Sequence, residues 1–155
     1  MHPRRLLLIL ATAGLAVSMS AGIASANHFS TLATSLSGAE EAPGPGDSNG
    51  KGSVTLEVYD YGLVCYTLKV QGIATPTGAH IHEATAGSPG PVVVDFRLDL
   101  ATRRGNTFSY CVNAGPTAAD AEARAADIQA TPTAYYVNVH NAEFPGGAVR
   151  GQLGD

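Results

Sequence analysis
Cysteine is scarce in this chain. There are two, Cys65 and Cys111, and neither is flanked in sequence by a basic cluster or by the start of a helix. That excludes a cysteine-rich metal finger and leaves little support for an activated thiol. Basic residues are also few, nine against thirteen acidic ones. A surface dominated by acidic groups does not suit nucleic acid or an anionic membrane. The one Gly-x-Ser-x-Gly match, Gly46-Asp47-Ser48-Asn49-Gly50, lies inside a long Gly/Pro-rich stretch and not at a strand-to-helix turn, so a serine-hydrolase elbow has little support. After residue 26 no apolar stretch is long enough to cross a bilayer as a helix. Two partial motifs in the Gly/Pro-rich stretch Ser37 to Gly52 fail on detail. Gly50-Lys51 lacks the upstream glycine of a phosphate loop, where Pro45 stands, and Asp47-Ser48-Asn49-Gly50 misplaces the glycine and closing glutamate of a calcium loop.

Met1 to Ala26 has the composition of a secretory signal peptide. Arg4-Arg5 supplies the positive start, Leu6 to Val17 a short apolar run, and Ala24-Ser25-Ala26 a small-x-small cleavage site. The paired arginines also loosely fit a twin-arginine signal. No cysteine follows the cleavage site to carry a lipid. The expected mature domain, 27–155, keeps seven basic and all thirteen acidic residues, a formal net charge of −6. Export to an oxidising compartment, secreted or periplasmic, makes a Cys65–Cys111 disulfide the default expectation. Its loop predicts a stabilisation of roughly 4 kcal/mol in the chain-entropy view.

The mature sequence reads as strands. Phe29 to Leu36, Ser53 to Tyr59, Leu63 to Val70, Ala79 to Glu83, Val92 to Leu98, Thr107 to Val112, Tyr135 to His140 and Ala148 to Leu153 combine β-branched or aromatic residues with alternation and Gly/Pro turns. Thr117 to Ala130 differs. Thr117 can cap an alanine-rich helix with Asp120 in its first turn, and Pro132 stands just beyond. About eight strands and one short surface helix predict an all-β, antiparallel Greek-key sandwich or barrel in one domain.

Two of those strands carry the chemistry. Side chains alternate across a strand. If Ile81 faces the core, His80 and His82 share the opposite face; if Val137 and Val139 face the core, Asn138 and His140 do not. Three of the four histidines expected after signal removal thus share one kind of face. If the two strands are neighbours, three imidazoles can meet at one ion, and imidazole suits copper or zinc rather than calcium or magnesium. Glu83, Asn138, Asn141 and Arg150 are candidates for orienting the ligands. A polar structural cluster or a site for a non-metal ligand are the other readings. For Arg150 the ordinary role is a salt bridge to a loop carboxylate, and for Glu41 a contact pinning the long loop. Tyr135 and Tyr136 alternate faces, one to the core and one toward the histidines. His28 becomes an amino-terminal copper site in Ala26-Asn27-His28 if cleavage follows Ser25.

The sequence resembles the CHRD domain, the module named after chordin and found alone in many secreted bacterial proteins. The resemblance rests on Leu36-Ser37-Gly38-Ala39-Glu40-Glu41-Ala42-Pro43, Gly78 to Glu83 with Pro91-Val92-Val93-Val94, and Tyr135 to His140 followed by Phe144-Pro145-Gly146-Gly147 and Arg150-Gly151-Gln152-Leu153. Gly44 and Ala148-Val149 depart from frequent family residues. The resemblance implies an extracellular setting and an unknown protein or glycan partner. It does not imply chordin's growth-factor antagonism, because chordin's cysteine-rich modules have no counterpart here. More locally, His-x-His-Glu and Val-x-Val-His with a later arginine resemble the copper strands of copper,zinc superoxide dismutase. That likeness implies copper on His80, His82 and His140, Arg150 beside an open position, and a copper-only oxidoreductase as one alternative. The bridging histidine and zinc loop of that enzyme have no counterpart.

Overall fold
A computed structural model describes residues 28–154. The expected signal peptide lies outside the described residues. Nine strands form one antiparallel sheet: β1 (Phe29–Ser37), β2 (Lys51–Tyr59), β3 (Leu63–Gln71), β4 (Pro76–Glu83), β5 (Val92–Asp95), β6 (Thr102–Arg104), β7 (Thr107–Asn113), β8 (Tyr135–Asn141) and β9 (Val149–Gln152). Their order is β5-β4-β8-β9-β1-β2-β3-β7-β6. The sheet curls so that β5 comes back toward β7, with Cα atoms within 8 Å. The all-β expectation holds, with one sheet wrapped around a core.

The meander β1-β2-β3 follows from strict alternation. Val54, Leu56 and Val58 of β2 and Val64, Tyr66, Leu68 and Val70 of β3 point inward and are buried. Asp60-Tyr61-Gly62 closes the β2–β3 turn with Gly62 at φ +87, a conformation open to glycine at little cost. α1 (Ala118–Ala130) lays Ala121, Ala125 and Ile128 on the core, and Thr117 caps it by accepting from the Asp120 N–H at 3.2 Å. Cys65 and Cys111 face each other directly in the β3–β7 register and form the expected disulfide.

Two strand expectations shift. The run from Val92 ends as a strand at Asp95, and Val92 is half exposed, because β5 is an edge strand with a partner on one side only. Thr102–Arg104 adds a ninth strand that alternation does not announce, since all three residues are exposed and hold their place by backbone pairing to β7.

The sheet segment β4-β8-β9 has two buried faces. One carries Ala79, Ile81, Val137, Val139 and Val149 into the core. The other carries two rows in register: His80, Asn138 and Arg150, then His82, Tyr136 and Gln152. Loops cover much of this second face, so a polar interior forms behind the apolar one.

Candidate metal centre
β4 and β8 are neighbours, and their pairing brings the three histidines together. His80 faces Asn138 and His82 faces Tyr136 across the β4–β8 ladder, while His140 faces Gly78. Gly78 leaves room there: a Cβ on it would meet the His80 ring. Ring centroids lie 5.0 Å apart for His80 and His140, 5.6 Å for His80 and His82, and 6.3 Å for His82 and His140. One nitrogen of each ring lies within 4.8 Å of the other two.

Hydrogen bonding fixes the tautomer of two of the rings. His82 Nδ1 is 2.9 Å from the Gly90 carbonyl and His140 Nδ1 is 3.0 Å from the Pro145 carbonyl. A carbonyl only accepts, so each Nδ1 is the protonated nitrogen and each Nε2 keeps its lone pair. His82 Nε2 and His80 Nδ1 are buried without a hydrogen-bond partner. A buried polar atom left unpaired costs about 1–3 kcal/mol, so two in one cluster ask for an explanation. His140 Nε2 faces the Asn138 carboxamide, with Oδ1 at 3.0 Å.

The electrostatics favour the neutral form of His80 and His140. Burial pushes His80 down from the ordinary 6.5 to about 4; neighbouring His140 and His82 act in the same sense, and Asp95 opposes them. Burial lowers His140 as well, with the Pro145 carbonyl opposing. Neutral imidazole is the form that ligates a metal. Bonds of about 2.0–2.1 Å place two ligand nitrogens at most about 4.2 Å apart. The grouping within 4.8 Å exceeds that by at most about 0.6 Å. His80, His82 and His140 could together hold a metal ion, and three neutral imidazoles suit copper or zinc.

The second row stiffens this arrangement. Tyr136 stacks on His82, with ring centroids 4.7 Å apart and planes 9° from parallel, and its hydroxyl accepts from the Gly90 N–H at 3.2 Å. Tyr135 joins the core, as alternation requires. Gln152 Nε2 donates to the carbonyls of Ala84, Thr133 and Tyr135. Gln152 escaped the sequence reading because a lone glutamine carries no charge or spacing signal.

Other candidate residues stand elsewhere. Glu83 is exposed and pairs with Arg124 of α1 at 2.9 Å, on the side of β4 away from the histidines. It does not orient the cluster. Asn141 is buried; its Oδ1 accepts from the Glu143 and Phe144 N–H groups and shapes the turn that presents Pro145. Arg150 is neither at an open position nor hydrogen-bonded to a carboxylate. It is 1 % exposed, and its guanidinium donates to the Ser88 and Thr85 carbonyls and to Gln152. Loop 84–91 folds over it and supplies carbonyls in place of the expected loop carboxylate or open position. Glu41 is buried against Gly147, where no side chain fits. Burial pushes its carboxyl up to about 7, against the opposing pull of Arg150. His28 is exposed beside Asp60, at the other end of β1 from its contact with β9.

No helix among the described residues is long and apolar enough to cross a membrane. A family model described as CHRD domain matches residues 32–153. No curated protein and no solved structure matches the chain.

Proposed function
The chain belongs to the CHRD-domain family, and from that premise we propose that it is a secreted member that binds one transition-metal ion, copper before zinc, through His80, His82 and His140. One observation carries the reading: the three rings each offer a nitrogen within 4.8 Å of the other two, and in the same cluster His80 Nδ1 and His82 Nε2 are buried and unpaired. The Gly90 and Pro145 carbonyls hold two of the three rings in the tautomer that aims Nε2 at the group. Copper is preferred on the local likeness to dismutase strands and on the general strength of copper(II) for imidazole sites. The role that follows is capture or delivery of the ion outside the cytoplasm. The intramolecular disulfide agrees with that compartment.

The test uses the mature chain purified from the periplasm without a polyhistidine tag. Bound copper and zinc are measured beside the His80→Ala/His140→Ala variant, with circular dichroism as the folding control. About one ion per chain, lost in the folded variant, supports the proposal; no ion after loading with copper overturns it. Tyrosine emission gives a second readout, because the chain has no tryptophan and Tyr136 stacks on a proposed ligand. Copper(II) should quench part of that emission, and Tyr136→Phe should reduce the quenched part.

A second reading has its own observation. The Asn138–His140 contact gives the cluster an internal hydrogen bond, which favours a metal-free interaction module for an extracellular protein or glycan. In that case the double variant loses stability and no metal.

A further inference from the structure
We propose that Asn138 is a displaceable latch on His140, holding the third ligand nitrogen until a metal ion replaces it. The inference deepens the metal-binding reading and rests on it. The argument starts from proton bookkeeping on one ring. A neutral imidazole carries one N–H. His140 has an oxygen at both nitrogens: the Pro145 carbonyl at 3.0 Å from Nδ1 and Asn138 Oδ1 at 3.0 Å from Nε2. Both cannot accept from the same neutral ring. The Pro145 oxygen belongs to the backbone and cannot exchange places with a donor. The Asn138 carboxamide can, by a half-turn that sets its N–H2 in the same place. The proton therefore stays on Nδ1, and Asn138 donates to the Nε2 lone pair.

That lone pair is the one the metal needs, so ion and amide compete for it. The competition is confined to His140. His80 Nδ1 and His82 Nε2 have no partner to displace. These two form the entry pair, and His140 closes the site last. The amide stays close enough to recapture the ring when the ion leaves. Asn138 is 3 % exposed and sits in register between His80 on β4 and Arg150 on β9, so it has little freedom to move away. A site with such a competitor suits exchange of an ion more than permanent retention.

The test has an arm without metal. In the 15N-labelled, metal-free protein, His140 should be the Nδ1–H tautomer with Nε2 as acceptor. A ring protonated at Nε2 overturns the latch whatever the metal does. The second arm measures copper(II) affinity by chelator competition. Asn138→Ala should bind about fivefold more tightly, the size of one net hydrogen bond. Weaker binding by a folded Asn138→Ala makes the residue a support and overturns the latch. If the wild type has the expected tautomer but takes no copper, the metal reading fails while the hydrogen bond stands.

Discussion
The guanidinium carbon of Arg150 lies 3.4 Å from the centroid of the Tyr136 ring. Tyr136 in turn stacks on His82. A cation–π contact is stronger when desolvated, and both residues are buried. Arg150 also holds loop 84–91 through Thr85 and Ser88. It thus links a covering loop to a proposed ligand through an aromatic ring.

Arg150→Lys should expose the strength of that link. Lysine keeps the charge but has neither the planar fork nor the flat face that meets Tyr136. Breaking a buried network of this kind should cost about 2–3 kcal/mol. Urea denaturation measures the loss, and hydrogen exchange should show lower protection in residues 84–91 while the β2–β3 hairpin stays protected. A change below about 0.5 kcal/mol, the ordinary range of a surface substitution, with unaltered exchange would show that the loop is held by other means.

The disulfide should matter to stability and not to the site. Cys65 and Cys111 join β3 to β7, neither of which pairs with β4 or β8, and close a span of 46 residues. Cys65→Ser/Cys111→Ser should lose about 4 kcal/mol. Metal content of the folded fraction should match wild type. A folded double variant without metal would tie the bridge to the site and contradict the separation.

The parity of His80 with His82, and of Asn138 with His140, is legible in the sequence because a strand repeats every two residues. The pairing of β4 with β8 is not, since about fifty residues separate them and no local pattern encodes a distant partner. Glu83 shows the same rule applied too loosely: being next to His82 puts it on the other face, toward Arg124. Arg150 was misplaced for a different reason. The expected partner was a loop carboxylate or an open metal position; loop 84–91 folds across Arg150 and supplies carbonyls instead, and loop paths leave no periodic trace. Glu41 was legible as a loop anchor, but its burial against Gly147 depends on two segments meeting.

Asn141 tests the support behind His140. Its Oδ1 accepts from Glu143 N at 3.0 Å and Phe144 N at 2.7 Å, while its Nδ2 is buried without a partner. Only the oxygen serves the turn. Asn141→Ala should lose about 1–3 kcal/mol, the cost of stranding buried donors, and should broaden the His140 ring signals in NMR as the Pro145 carbonyl loosens. Asn141→Asp keeps the acceptor and should restore the His140 signals. If both variants behave alike, the turn does not position His140.

Acid–base behaviour should contain two opposing slopes. The Glu41 pKa is raised from 4.5 to about 7 in the fold, chiefly by burial. The folded state then binds the proton more tightly, so this contribution is full below 4.5 and is lost as pH rises through about 7. His80 goes the other way: its pKa falls from 6.5 to about 4. Its contribution is present above 6.5 and is lost as pH falls through about 4, and the lowered His140 adds in the same sense. Between 4.5 and 6.5 the Glu41 slope offsets part of the histidine slope, and the wild-type melting temperature should change less with pH than that of Glu41→Gln. Glu41→Gln should leave the histidine slope, with stability rising with pH across that window. His80→Asn/His140→Asn should leave the Glu41 slope, with stability falling as pH rises from 4.5 to 7. Thermal unfolding of the metal-free proteins at half-unit pH steps measures both. A Glu41→Gln variant as flat as wild type would show that the buried carboxyl does not titrate in this range, and that the histidines are not held neutral by the fold.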